Sequence, residues 1–346
     1  MKSGNPVRYL LFLVLACSLA AGRAAPGHDR LEIVWPTPNQ AWAEGQPITA
    51  FIQPTAAGEP TSGCFGCVRS GGLQFHEGID LKPVGRDRRG EPTDQVFAVM
   101  AGVVRHISDR PGDSNYGRYI VLEHPEASPA VYTLYAHLAR VLPGITEGGR
   151  VERGQAIAIM GHTKSGTRIP RELAHLHFEI GLMVTREFQR WYDGRGYGSP
   201  NEQGLWNGIN LMGFDPLDFL NQWRERRVDN LQDYFDRMKA QVTLRIVTRR
   251  VPDFVLRYPC LLRAPLPAGP VGGWEIQCDW TGLPFAWRPL TPMEVLGQSI
   301  DRVTILKVDE ASVAQHRAKV LVQRRGAEYI PVRDLKIVLQ QIFGVL

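Results

Sequence analysis

Two short clusters in this sequence have the side chains of a metal centre: His76-Glu77-Gly78-Ile79-Asp80 and His175-Leu176-His177. Imidazole nitrogens and carboxylate oxygens are what a catalytic zinc takes from a protein, three at a time, with the fourth position kept for water. Residues two or four apart on a strand share a face, so each cluster can aim two ligands at one point. Gly78 argues against a helix for the first cluster, as a His-Glu-x-x-His motif would require. The His-x-His pair is weak alone, and position supports it. Both clusters lie in β-like runs of one inferred domain, and a third histidine, His137, ends a run that places Val131, Thr133 and Tyr135 on one face. A bound metal lowers the pKa of its water toward about 7 and polarises a carbonyl under attack. Two further histidines can take the water's proton and stabilise the oxyanion. His76, Asp80, His137, His175 and His177 fill these roles.

The elements that must position them are mostly strands. From Gly71 to about Ile180, short runs at 95–107, 119–122, 130–138, 151–160 and 173–180 are separated by glycine. Residues 186–213 read as a loop insertion rimming the site, with Trp191, Tyr192, Tyr197 and Trp206 as anchoring hydrophobes rather than a sugar platform. Asp215-Pro216 opens a stretch of helical spacing that runs to Met238. Runs at 242–247, 303–308 and 319–323 predict strands again, and 334–343 a closing helix. The expected organisation is a signal peptide (1–25), an N-terminal wrapping arm (26–60), a catalytic domain (61–220), a helical connector (221–241) and a small α+β domain (242–346).

With 346 residues, the chain has material for about two domains. Hydrophobic residues at 44% and charged residues at 22% exclude wholesale disorder. The formal net charge of +5 favours anionic partners. No Lys/Arg block with interleaved aromatics is present, which argues against nucleic acid. Lys2 and Arg8 flank an apolar run from Tyr9, followed by small residues to Ala25, the layout of a secretory signal. It predicts an exported protein of the periplasm or cell envelope. Val14-Leu15-Ala16-Cys17 resembles a lipobox, so membrane contact through a lipid on Cys17 is the one membrane role expected. Cys64, Cys67, Cys260 and Cys278 are an even set in an oxidising compartment, which predicts disulfides: a Cys260–Cys278 bridge would close one turn and Cys64 could pair with Cys67, but four cysteines allow three pairings and the sequence does not choose among them.

The ordered motifs carry a family resemblance. Thr61-Ser62-Gly63, Phe65-Gly66, Arg69 and Phe75-His76-Glu77-Gly78-Ile79-Asp80 are followed by Tyr116-Gly117-Arg118-Tyr119, Thr133-Leu134-Tyr135-Ala136-His137, Val151-Glu152-Arg153-Gly154, Gly161, His175-Leu176-His177-Phe178-Glu179 and Asp215-Pro216. Over residues 61–220 the chain resembles the lysostaphin-type (LytM-like) zinc endopeptidases that cut peptidoglycan peptides. The resemblance implies a mainly β fold, with an antiparallel β-sheet groove that admits a peptide. It also implies one Zn2+ per chain held by His76, Asp80 and His177, with His137 and His175 as catalytic histidines, one the base and the other the oxyanion stabiliser. The substrate implied is the peptide of peptidoglycan. The alternative is a non-enzymatic activator of cell-wall amidases or a wall-binding protein. One departure is the segment 162–174, longer than the family's usual loop and carrying Lys164, Arg168, Arg171 and Glu172. Of the neighbouring residues, Glu77 and Glu179 are read as turned away from the site, in supporting or surface roles. Tyr135 is either a carbonyl-positioning group or groove packing. His124 is read as structural, His106 and His316 as surface residues, His162 as a solvated loop residue, and His28 as part of the arm.

Overall fold

Short runs of β-branched and aromatic residues between glycines fold as strands, and every strand pair is antiparallel. The computed structural model describes residues 1, 30–55 and 58–344. Beyond Met1, the expected leader with Cys17, and also His28, lie outside the described residues. Among the described residues, no helix is long and apolar enough to cross a membrane.

The largest sheet has seven strands. In spatial order these are Leu211–Phe214, Leu176–Met183, Val131–Ala136, Tyr119–His124, Gly102–Ser108 and Arg150–Val151, and Ile79–Leu81 also pairs with Leu176–Met183. A three-stranded sheet runs Gln95–Phe97, Ala156–Met160, Leu138–Val141. The hairpin Gly66–Arg69 with Gln74–His76 stands apart. Near the C-terminus a four-stranded sheet runs Pro284–Leu290, Gly273–Cys278, Val242–Val247, Val303–Val308. The mainly β, antiparallel expectation holds. The helical stretch after Asp215 is two helices, Pro216–Arg224 and Leu231–Arg237, and the closing helix is Arg333–Phe343. Asp215 caps the first by accepting from the backbone N–H of Leu217 and Asp218. Near the N-terminus Trp35 stacks on Trp42 at 4.7 Å, and Trp42 donates to Asn221.

The two faces of the large sheet differ. Tyr135, Phe178, Ile180 and Phe214 belong to a core that runs continuously from Trp35 and Phe51 to Trp274 and Trp287 of the C-terminal sheet. Tyr119, Tyr132, Leu134, Ala136, Met183 and Leu211 form a smaller cluster on the other face. Residues 186–213 cover this second face. The segment is less loop-like than its composition predicts, because Phe188–Asp193 is a helix and Leu211–Phe214 joins the sheet beside Ile180–Met183. Phe188 and Tyr192 are buried, and Trp191 and Tyr197 pack on them, so these aromatics are anchors.

Among the described residues the disulfides expected of the cysteines are absent, since Cys64, Cys67, Cys260 and Cys278 are all free thiols. Burial, with Asp215 and Asp80 nearby, pushes the Cys64 thiol up to about 11, and burial pushes fully buried Cys278 up as well. A thiol held protonated is a poor partner in disulfide exchange.

The turn at 279–282 supplies a test of stability. Buried Asp279 accepts through Oδ1 from the backbone N–H of Thr281 and Leu283 and from the Thr281 hydroxyl. Burial, outweighing these bonds, pushes its carboxyl up to about 6. The folded chain therefore holds this proton more tightly than the unfolded chain does. The carboxyl's contribution is most favourable below about pH 4 and is lost as pH climbs through about 6. Asp279→Asn keeps the Oδ1 acceptor without the charge. It is expected to remove at most about 3 kcal/mol of this penalty at neutral pH and to narrow the difference in Tm between pH 4 and pH 7, measured by calorimetry.

Candidate metal centre

Strand register brings the two clusters together. His177 lies directly opposite Asp80 on one side and Ala136 on the other, so Asp80 and His177 share a face. Gly78 makes this approach possible, because a Cβ there would sit 2.3 Å from the Phe178 carbonyl oxygen. His76 ends the Gln74–His76 strand of the separate hairpin and points back to the same spot.

Three atoms converge. His76 Nε2 lies 3.0 Å from His177 Nδ1 and 3.1 Å from Asp80 Oδ1, and His177 Nδ1 lies 3.0 Å from that oxygen. Tetrahedral zinc with bonds of 2.0–2.1 Å would separate its ligands by about 3.3 Å. Two imidazole nitrogens and a carboxylate oxygen, all on buried side chains, fit that ion in chemistry and in spacing. The remaining polar atoms of the ligands are engaged elsewhere. Arg69 donates to Asp80 Oδ2 at 2.7 Å, leaving Oδ1 to the cluster. His76 Nδ1 faces the Cys64 carbonyl at 2.7 Å, and His177 Nε2 faces Glu179 at 3.0 Å. The contact at His76 assigns the ring proton to Nδ1 and turns a bare Nε2 inward, and Glu179 takes the Nε2 proton of His177, leaving its Nδ1 to hold a proton or a metal cation.

His137 and His175 are built the same way. His137 Nδ1 donates to the Thr163 carbonyl and His175 Nδ1 to the Leu173 carbonyl, each at 2.8 Å, so both present Nε2. Their rings are 4.9 Å apart, and that of His137 is 5.8 Å from His177. His175 Nε2 lies 3.5 Å from Asp80 Oδ1. All five expected residues therefore meet at one place.

His137 reaches that place by a route alternation does not predict. Thr133 and Tyr135 face the other side, where His124 and Val99 bond them. The strand ends at Ala136, and His137 adopts a left-handed φ of 61°, which swings its ring to the site face. Gly117 makes room for this, since a Cβ there would sit 2.3 Å from the Thr163 oxygen that holds His137. Tyr135 is fully buried and its hydroxyl accepts from the Val99 N–H, so it packs the core and positions no substrate.

Glu179 is also placed differently from expectation. It is two residues from His177, hence on the same face, and is buried. Besides His177 it accepts from the hydroxyls of Tyr116 at 2.6 Å and Tyr132 at 2.9 Å. Burial and the Glu179 charge hold both phenols well above their ordinary range, so they stay donors. Glu77, in contrast, is exposed. Period-two counting from His177 was sufficient to find Glu179. No side-chain signal reveals the carbonyls of Cys64, Thr163 and Leu173. Glu179→Gln replaces one acceptor oxygen of this clamp by a donor. It is expected to weaken zinc binding by about 10–100-fold, read by competition against a chromophoric chelator.

The electrostatics follow from burial. Burial alone would raise the Asp80 carboxyl, but the charges of His76 and His175 and bonds from His177 and His76 hold it well below the usual range. His177 lies between two carboxylates. Burial opposes its charge, yet its bonds to Asp80 and Glu179 push it up to about 10, so a proton or a metal cation at Nδ1 satisfies the same cluster. Burial pushes His137 and His175 down, and at both the charges of neighbouring histidines add to the fall while Asp80 opposes it. Both are neutral bases near pH 7. Of the other histidines, His124 is buried between Ala101 and Thr133 as expected. His162 pairs with Glu91, half-buried His106 packs on Tyr119, and His316 stacks on Trp280 at 4.1 Å, so none of these three is a free surface or loop group.

Comparison with known proteins bears on this geometry. Residues 74–187 match the model of Peptidase family M23. No curated protein matches. Among solved structures similar to this chain, a zinc-containing peptidase from Vibrio cholerae is 25% identical over 44% of this chain and 36% of its own, with a TM-score of 0.28. A putative glycyl-glycine endopeptidase lytM from Ruminococcus gnavus is 26% identical over 31% of this chain and 39% of its own, with a TM-score of 0.25. The catalytic domain of lysostaphin from Staphylococcus simulans is 21% identical over 49% and 89%, with a TM-score of 0.26. The chain thus spans about two-fifths or less of the first two structures. His76, Asp80, His137, His175 and His177 all lie inside residues 74–187, the segment similar to Peptidase family M23.

Proposed function

We propose that this chain is an exported zinc-dependent endopeptidase that hydrolyses peptide bonds of peptidoglycan, with residues 61–220 as the catalytic unit and one zinc per chain. The observation that carries the reading is the shared polarity of four imidazoles. Each gives its outer nitrogen to a carbonyl or carboxylate and turns the other toward Asp80 or the space beside it. A structural zinc site is closed by four ligands and has no use for two more oriented bases.

Zinc on His76 Nε2, Asp80 Oδ1 and His177 Nδ1 would supply an acidified water and a polarised substrate carbonyl. The chain's own residues handle the proton. We assign the base to His175, whose Nε2 lies 3.5 Å from Asp80 Oδ1, so that carboxylate stabilises the imidazolium formed. Burial, and then the charges of His175 and His177, discourage His137 from charging, which suits a group that orients and stabilises the substrate's carbonyl side. The Thr163 and Leu173 carbonyls keep both rings in the required tautomer throughout.

The test is mass spectrometry of muropeptides released from purified peptidoglycan, with and without a chelator. Chelator-sensitive release of cut stem or bridge peptides is expected. Wall binding with no cut peptide at any zinc concentration would instead identify a non-enzymatic activator.

A further inference from the structure

The loop that supplies the carbonyls holding His137 and His175 is fastened to a second loop, and the two carry an excess of cations. Residues 86–91 and 162–174 together hold Arg86, Arg88, Arg89, Lys164, Arg168 and Arg171 against three carboxylates, Asp87, Glu91 and Glu172. Two of the arginines are structural. Arg86 donates to the carbonyls of Gly90, Arg171 and Glu172, and Arg171 donates to the Arg89 carbonyl and pairs with Glu91 at 2.9 Å. His162 joins the same fastening through Glu91 at 3.0 Å. The other four cations are exposed, and none has a carboxylate within ion-pair distance among the described residues.

Their position relative to the chemistry is fixed by the chain. The longer loop begins at the Thr163 carbonyl, which holds His137, and ends at the Leu173 carbonyl, which holds His175. Lys164 therefore directly follows one of these anchor points. A merely solvated surface would account for unpaired charge, but not for its placement on a loop that holds both histidines and on a second loop fastened to it.

We propose that these loops form a recognition rim for free carboxylates on the substrate, so that the peptide cut here is a carboxylate-bearing stem rather than an uncharged glycine bridge. The inference rests on the endopeptidase reading and narrows its substrate. Exposed pairs of this kind are individually weak and screened by salt, so the rim works by several acting together on a bound peptide.

The test compares binding of two labelled peptides by fluorescence anisotropy, a stem peptide with free carboxylates and its fully amidated counterpart. Zinc-loaded His175→Ala protein is used so that cleavage does not intervene. A preference of about tenfold for the free carboxylates is expected, shrinking at about 0.5 M salt. It should vanish when Arg88→Glu, Lys164→Glu and Arg168→Glu are added, with zinc content and Tm unchanged. Equal binding of the two peptides, or a preference that survives the three charge reversals, would overturn the rim. Hydrolysis by the wild type separates the two readings. Oligoglycine cut as fast as the stem peptide sinks the rim alone. A carboxylate preference with no hydrolysis of any wall peptide sinks the endopeptidase reading and leaves the rim standing.

Discussion

Alanine at His175 is expected to lower peptide hydrolysis by about 100- to 10,000-fold while zinc stays near one per chain, and alanine at His137 is expected to do the same. Neither ring is among the two imidazoles and one carboxylate that converge at 3.0–3.1 Å, so neither is needed to hold the ion. Each is held by one backbone carbonyl, so its loss leaves the Thr163 or Leu173 oxygen near the surface of the site rather than a broken core. Elemental analysis together with turnover of a muropeptide substrate separates this result from loss of the metal. The two variants should differ in pH profile. If His175 takes the proton, its loss should flatten the acidic limb of the rate, whereas His137→Ala should lower the rate and leave that limb in place. A variant at either position with full activity would remove that residue from the chemistry.

Removal of a ligand should be more complete. Asp80→Asn preserves shape and most hydrogen bonding but replaces the anion that meets His76, His175, His177 and Arg69. It is expected to weaken zinc binding by more than about 100-fold, beyond the range seen for partners one step removed from a metal. Calorimetric titration of the wild type should also show the competition between proton and metal at His177. Its ring is pushed up to about 10, so below that pH zinc entry displaces a proton, and affinity rises as pH increases. Zinc binding by Asp80→Asn with wild-type affinity would mean that the ion sits elsewhere.

Much of this was legible in the sequence, for reasons particular residues make plain. Asp80 and His177 could be paired because period two is a strict consequence of extended backbone, and both lie within strands. The two helices after Asp215 followed from a capping carboxylate, a proline at the first helical position and apolar spacing. The failures lie where that regularity stops. Alternation puts His137 on the face of Thr133 and Tyr135, but the strand ends at Ala136 and φ changes sign at His137. Glu179 follows His177 by two positions, not one, so period two puts it on the site face rather than away from it. The Phe188–Asp193 helix was hidden by its short length and the glycines around it. Compartment and parity predict paired cysteines but say nothing of local burial, and the four described cysteines are free. The backbone acceptors that set every tautomer have no letter in the sequence at all.

The backbone of His137 has a price beyond geometry. A non-glycine residue in the left-handed region gives up about 1 kcal/mol or more, and imidazole is less at ease there than asparagine or glycine. This position therefore sets durability against reactivity. A descendant of this chain freed from turnover should relax there first, trading the ring for a more comfortable residue and becoming a sturdier, inert molecule.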